Sequence, residues 1–253
     1  MSAHENEKVL IVTGGSRGIG AATACLAAQQ GYAVAVNYRR NQAAANRVVS
    51  SVIQSGGQAI SIAADIALES EVMQLFETVD DQLGIVTALV NNAGILEAQM
   101  RVESMDAARL QRIFQVNVIG GFLCAREAVK RMSTQHGGTG GAIVNVSSVA
   151  ARLGSPGEYV DYAASKGAID TLTIGLAKEV ANEGIRVNAV RPGFIDTDIH
   201  ASGGEPNRIE RVKALVPLQR GGKAIEVAHA ILWLLSTEAA YTTGSFIDVA
   251  GGK

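Results

Sequence analysis

The chain has 253 residues, 47% of them hydrophobic and 4% aromatic, with 28 glycines against 4 prolines, which fits an α/β protein with a large aliphatic core and many tight turns. A formal net charge of −2 gives no electrostatic case for nucleic acid or an anionic membrane as partner. No apolar run reaches bilayer-spanning length, and the polar opening MSAHENEK lacks the basic-then-apolar layout of a secretory signal.

In chain order, VLIV (9–12) is predicted as a strand, followed by a glycine loop and a helix to about Gln30. AVAVNY (33–38) is the next strand and 42–55 the next helix. QAISIA (58–63) precedes an amphipathic helix over 71–83, and VTALVN (86–91) precedes one long helix over about 106–133. GAIVNVS (141–147) is the fifth strand, and the helix over 161–183 is closed by Gly184. IRVNAV (185–190), a helix over 222–236 and GSFIDVA (244–250) complete the pattern. QHGGTGG (135–141) reads as a helix-to-strand loop, so the chain is expected to be a single domain over 1–253.

Strands with few charges, separated by helices, predict a Rossmann-type, doubly wound parallel sheet with helices on both faces. Such sheets bind ligands beyond the carboxyl ends of their strands, so functional residues are sought there. Cys25 and Cys124 lie in helical patterns without a paired motif and are expected as free thiols in a reducing compartment, which makes the cytoplasm the expected address.

TGGSRGIG (13–20) sits between the first strand and first helix. Gly14, Gly18 and Gly20 let the backbone turn and approach a ligand, and the helix start offers free N–H groups to a pyrophosphate. The spacing is G-x-x-x-G-x-G rather than G-x-G-x-x-G, but its place in a βαβ unit points to a dinucleotide. A carboxylate at the end of the second strand would accept from the ribose hydroxyls of NAD. This chain has Asn37-Tyr38-Arg39-Arg40 instead, with Arg17 in the glycine loop as a further cation; guanidinium groups suit a 2′-phosphate, so the expected cofactor is NADP(H).

In EYVDYAASKG (158–167), Tyr162 has Lys166 four residues on, on one helical face, whereas Tyr159 has Ala163. NNAG (91–94), SS (147–148) and PG (192–193) close the fourth, fifth and sixth strands, and Asn117 lies in the long helix. Together with TGGSRGIG and YAASK, these motifs resemble the short-chain dehydrogenase/reductase family over essentially the whole chain. That resemblance implies Tyr162 as general acid/base, Lys166 as its lysine, and Ser148 as the serine that polarises a carbonyl, with Ser147 the alternative. It implies that Asn117 helps hold a water between the lysine and solvent. It also implies a cofactor site from Gly14, Ser16, Arg17, Gly18, Ile19, Gly20, Tyr38, Arg39, Asp65, Ile66, Asn91, Ala93 and Gly94, completed by Tyr162, Lys166, Pro192, Gly193, Ile195 and Thr197. A lysine ammonium near a tyrosine, together with the positive nicotinamide, is expected to lower the phenol's pKa.

The implied function is an NADP(H)-dependent oxidoreductase acting on a small-molecule ketone, aldehyde or secondary alcohol, with sugar-like or small carbonyl compounds as substrates. A 3-oxoacyl-carrier-protein reductase is the alternative, for which Lys130 and Arg131 would be the basic docking residues at the cleft rim; Glu183 counts against it. A non-catalytic NADP(H)-binding sensor is the reading from another class. The family implies a homotetramer, or a homodimer. The polar segment 196–220 is expected as a lid over the substrate, Tyr159 as part of the pocket wall, and Trp233 as core. His4, His136, His200 and His229 are placed on the tail, a glycine loop, a polar loop and a helix, without metal-ligand spacing, and no metal is expected.

Overall fold

The computed structural model describes residues 8–253; the polar opening through residue 7, His4 included, lies outside the described residues. β1 (Val9–Val12), α1 (Gly18–Gln29), β2 (Ala33–Tyr38), α2 (Gln42–Gln54) and β3 (Gln58–Ala63) form the first winding. α3 (Glu69–Gln82), β4 (Ala88–Asn91), α4 (Ala107–Phe114), α5 (Gly120–Met132), β5 (Gly141–Val146), α6 (Ala150–Leu153), α7 (Val160–Glu179) and β6 (Ile185–Pro192) follow. The chain then makes β7 (Ile195–Asp196), α8 (Ile199–Ser202), α9 (Arg208–Val212), β8 (Gly222–Lys223), α10 (Ala224–Leu235) and β9 (Phe246–Val249).

Seven strands form one parallel sheet in the order β3-β2-β1-β4-β5-β6-β9, and β7 and β8 pair separately. Alternate residues of a strand face opposite sides, so β1 feeds two cores. Leu10 and Val12 join Val36, Val144, Val190 and Ile231 on one face; Val9 and Ile11 join Phe76, Cys124, Ile143 and Val187 on the other. Burial on both faces is why the strands read as continuous apolar runs rather than alternating ones. The strand order reverses between β1 and β4, which opens a crevice at the carboxyl edge of the sheet.

Three sequence expectations need correction. The helix predicted over 106–133 is interrupted by a π-helical turn at Gln115–Ile119. Gly120 presses against the loop after β3, where a Cβ would meet Ile66 Cδ1 at 2.7 Å and Ile66 O at 2.9 Å. The wider turn carries Asn117, whose side chain turns inward to Ile95 in the loop after β4, and such bulges commonly serve to place a side chain. Trp233 is not core: it lies on the outer face of α10 and is 40% exposed, while Val227, Ile231 and Leu234 face inward. His200 is not on a polar loop but buried in α8. The remaining strand and helix ends differ from expectation by no more than two residues, except that α7 ends at Glu179 and the chain passes through a 3₁₀ turn, Ala181–Glu183, before Gly184 at φ 78° and β6.

Candidate active site

A cleft of about 800 Å³ runs along the carboxyl edge of the sheet. Its floor is the crossing of the loops after β1 and β4. Thr13 Oγ1 accepts the N–H groups of Asn92 and Ala93, both at 3.0 Å, and Asn92 Nδ2 donates to the carbonyls of Thr13 at 2.9 Å and Gly14 at 3.1 Å. Asn37 Oδ1 accepts the Gly14 N–H at 3.2 Å, while its Nδ2 donates to Ala64 O at 3.0 Å, tying β2 to the same crossing. Gly14 stands at φ 60°, where a side chain is strained, and a Cβ on Gly20 would lie 2.5 Å from Gly14 O and 2.6 Å from Asn92 Nδ2. α1 starts at Gly18 with no side chain capping its first turn and no acid there. Its free N–H groups and positive dipole end face the cleft. The loop therefore fits a dinucleotide pyrophosphate.

At one end of the cleft, Tyr38 is buried and Arg17, Arg39 and Arg40 are exposed along the rim. Arg39 Nε pairs with Asp65 Oδ2 at 2.7 Å, with Arg39 half-exposed. An exposed pair of this kind is worth about 0–1 kcal/mol, so the guanidinium is easily recruited by a phosphate.

At the middle of the cleft, β5 delivers Ser147 and Ser148, and α7 delivers Tyr162 and Lys166. The two serines have different surroundings. Ser147 Oγ donates to Asp170 Oδ1 at 2.6 Å, one helical turn beyond Lys166. Ser148 Oγ accepts the Ala150 N–H at 3.1 Å and lies within hydrogen-bonding reach of the Tyr162 hydroxyl. Lys166 is buried, its Nζ donating to Val146 O at 2.8 Å and lying 5.6 Å from the centre of the Tyr162 ring. A Cβ on Gly94 would come 3.5 Å from both Lys166 Nζ and Asn117 Oδ1, so that glycine keeps the space beside the lysine open.

Burial sets the protonation of this pair. It pushes the Tyr162 phenol up to about 12, the Ser148 hydrogen bond acting the other way. It pulls the Lys166 ammonium down to about 8, opposed by the charge of Asp170. The expected lowering of the phenol by the lysine is thus reversed in the protein alone, because desolvation of two neighbouring ionisable groups outweighs their attraction. Asp170 escaped the sequence reading, although Tyr162, Lys166 and Asp170 fall at i, i+4 and i+8 on one helical face.

Of the residues singled out in sequence, Gly20, Asn91 and Asn117 do not line the cleft. Gly20 is buried under the loop it permits. Asn91 Nδ2 points into the sheet, donating to Asn145 Oδ1 at 3.0 Å and Gly121 O at 3.2 Å, and its neighbour Asn92 takes the place expected for it. The Asn117 side chain is engaged with protein: it accepts the Ile95 N–H at 2.8 Å and donates to Ile95 O at 3.0 Å and Ser165 Oγ at 3.1 Å. It fixes the loop after β4 against α7. Lys130 and Arg131 do not reach the cleft either. They close α5, the helix returning to the amino edge of the sheet, and pair with Glu127 and Asp80.

The other end of the cleft is covered by the segment after β6. Arg208 stacks on Tyr159 at 4.8 Å and on Phe194 at 5.5 Å, and bonds Glu158 Oε2 at 2.5 Å and Glu205 Oε2 at 3.0 Å. Arg211 pairs with Glu158 at 3.0 Å and with Glu205. Leu96, Val149, Leu153, Ile199 and Leu215 make the rest of this end largely apolar. Ser155, between α6 and α7, holds φ 44°, an unusual backbone for a non-glycine in the stretch linking Ser148 to Tyr162.

A family model described as enoyl-(acyl carrier protein) reductase matches residues 14–253. An uncharacterized oxidoreductase of Escherichia coli, YgfF, is 63% identical over 97% of this chain and 99% of its own. A 3-oxoacyl-[acyl-carrier-protein] reductase of Synechocystis is 40% identical over 97% and 96%. The crystal structure of a dehydrogenase/reductase from Sinorhizobium meliloti superposes with a TM-score of 0.90 at 33% identity, covering 97% of this chain and 94% of that one. The chain belongs to the short-chain dehydrogenase/reductase family. It is an oxidoreductase of that family, whose members use nicotinamide cofactors. Among the described residues, no helix is long and apolar enough to cross a membrane, and no group of three or more His, Cys, Asp or Glu residues is placed to hold a metal ion.

Proposed function

We propose that this chain is an NADP(H)-dependent enzyme interconverting a ketone or aldehyde, sugar-like or small, and the corresponding alcohol, with Tyr162 as general acid/base. The observation that carries the reading is the meeting of Ser148, Tyr162 and Lys166 at one strand edge, beside an uncapped helix start and a rim of three arginines. A bound nicotinamide supplies the hydride. Tyr162 holds its proton at neutral pH and delivers it to the carbonyl oxygen. Ser148 donates a hydrogen bond to that oxygen as charge builds on it. Lys166, cationic below about pH 8, favours the phenolate left behind. Asn117 holds the backbone of Ile95 in place beside this group. For the choice of NADP over NAD, the support is the absence of an acid at the end of β2 and the presence of Arg39, with Arg17 and Arg40 beside it.

The Synechocystis relative favours 3-oxoacyl-carrier-protein reduction as the second reading; the lack of Lys130 and Arg131 at the cleft speaks against it. We read 196–220 as a lid, the described chain as one domain, and the assembly as a homotetramer. The last is supported by Leu110, Ile119, Phe122 and Ile174 exposed on α4–α5 and α7, and by the open edge of β9. Free Cys25 and Cys124 accord with a cytoplasmic protein.

NADPH and NADH oxidation by the purified protein against carbonyls, sugars and a 3-oxoacyl thioester tests the reading. Tyr162→Phe is expected to lower kcat about 10³-fold with NADPH binding unchanged. Arg39→Ser is expected to weaken NADPH roughly tenfold and leave NADH alone, a loss of about 1.4 kcal/mol. Equal turnover in Tyr162→Phe sinks the mechanism. Tight NADPH binding without turnover of any carbonyl favours the sensor.

A further inference from the structure

The lid wall of the cleft carries two buried side chains that each have one polar atom without a protein partner. Tyr159 is 2% exposed and its Oη is unbonded; His200 is 9% exposed and its Nδ1 is unbonded. Both line the cleft that holds Tyr162. Both also surround Arg208, which stacks on the Tyr159 ring at 4.8 Å and whose charge acts on His200.

The chemistry of each atom follows from its neighbours. His200 Nε2 lies 2.9 Å from Ile195 O. A carbonyl oxygen only accepts, so Nε2 carries the proton and Nδ1 presents a lone pair. Burial, lowering the imidazole's affinity for a second proton, keeps the ring neutral. The Tyr159 hydroxyl rests near Gly203, where a Cβ would approach it to 3.4 Å, and is free to donate or accept. The neighbouring guanidinium of Arg208 is already held by Glu158 and Glu205. This part of the wall therefore holds one acceptor and one amphoteric hydroxyl beside the Arg208 ion pairs, both closed off from water in this conformation, and each carries an uncompensated desolvation cost.

We propose that Tyr159 Oη and His200 Nδ1 form a subsite for substrate hydroxyl groups, so that the substrate is a polyhydroxylated carbonyl compound, or its polyol, rather than a plain alkyl ketone or a fatty acyl chain. A hydroxyl both donates, as Nδ1 requires, and accepts, as the phenol allows. An alkyl group would leave both atoms unpaired, and a carboxylate or phosphate oxygen would set a lone pair against Nδ1. The inference rests on the carbonyl-reductase reading above and specifies its substrate class.

The test uses the full chain with NADPH and two ketones of one four-carbon skeleton, L-erythrulose and 2-butanone. The parent is expected to favour erythrulose in kcat/KM by about 100-fold or more. Tyr159→Phe deletes a single unbonded oxygen, and His200→Gln keeps a donor for Ile195 O while removing the lone pair. Both are therefore expected to melt as the parent does. Each is expected to lower the erythrulose/butanone ratio about tenfold, through a higher KM for erythrulose with 2-butanone unaffected. A ratio unchanged in both variants, with both ketones still reduced, overturns the subsite and leaves the reductase reading standing. No NADPH oxidation by the parent with either ketone or any other carbonyl overturns the reductase reading, and the subsite falls with it.

Discussion

Two arginine–carboxylate contacts brace the cleft from its two walls, and they differ in surroundings. On the sheet wall, Arg109 Nε meets Asp161 Oδ2 at 2.7 Å with side-chain exposures of 5% and 0%. On the lid wall, Arg211 meets Glu205 with exposures of 49% and 21%. The first pair is bonded in further directions: Arg109 Nη1 donates to Ala98 O at 2.8 Å, and Asp161 Oδ1 accepts the N–H of Tyr162 at 2.9 Å. It fixes α4, the loop after β4 and the start of α7 around Tyr162. The second pair belongs to a set of two arginines and two glutamates, with Arg208 buried and Arg211 half-exposed, joining the segment after β6 to the residues before α7. On the proposed reading, the proton chemistry is mounted on the more deeply buried wall, and the cover over the substrate is held in part by contacts that water and salt can replace.

The comparison breaks most readily at Asp161. Asp161→Ala would leave the Arg109 charge buried without its partner, and loss of about 3–5 kcal/mol in urea denaturation is expected. A loss below 1 kcal/mol would mean that the sheet wall is no more rigidly braced than the lid.

Lys166 sharpens the same contrast from within the fixed wall. Its folded pKa, about 8, lies below the ordinary lysine value of 10.5. Below pH 8 both folded and unfolded chains carry the proton, and folding bears the full cost of burying the ammonium. Between pH 8 and 10.5 the unfolded chain holds more protons, so stability rises with pH; above 10.5 the cost is gone. The stability of the parent relative to Lys166→Met is expected to climb by roughly 3 kcal/mol across that window. Tyr162, shifted upward, opposes this only from pH 10 towards 12 and is present in both proteins. Urea melts at pH 7.5, 9 and 10 measure the difference; a flat difference would place the lysine in a wetter setting than its hydrogen bond to Val146 O implies.

What could be read in the letters follows this division. The sheet wall is built from strand ends and first helical turns, where chemistry demands particular residues at fixed spacing. TGGSRGIG, NNAG, the serine pair and YAASK were therefore visible without coordinates. Even there, side-chain direction was not visible: Asn91 and Asn92 are indistinguishable in sequence, and only the sheet register, pairing Asn91 with Asn145, turns the first inward. Nor did periodicity reveal the π-helical turn at Asn117, because one extra residue in a turn leaves the apolar pattern of a long helix almost intact. On the lid, short helices such as Arg208–Val212 are stabilised by ion pairs and stacking between segments far apart in sequence, and no local pattern announces them. His200 looked like a loop residue for that reason. Trp233 went wrong in the opposite sense: AHAILWLLS is apolar all round, so hydrophobicity alone did not say which face of α10 turns outward.

The smallest expected effect tests the lid wall itself. Removing Arg211 leaves Glu158 and Glu205 each bonded to Arg208, and exposed pairs contribute about 0–1 kcal/mol. Arg211→Ala should therefore shift the melting temperature by no more than about 2–4 °C in a chain of this size. The local consequence should be larger than the global one. Backbone amides of α8 and α9 are expected to exchange with deuterium several-fold faster in the variant, while those of α7 around Tyr162 keep the parent's rate. Raising salt to 0.5 M should reproduce the same pattern in the parent, because screening weakens Arg211's half-exposed contacts and leaves Arg109–Asp161 untouched. If α7 accelerated together with α8 and α9, the two walls would open as one cooperative unit. The ion pairs of Arg211 would then hold Tyr162 as well as the segment above it.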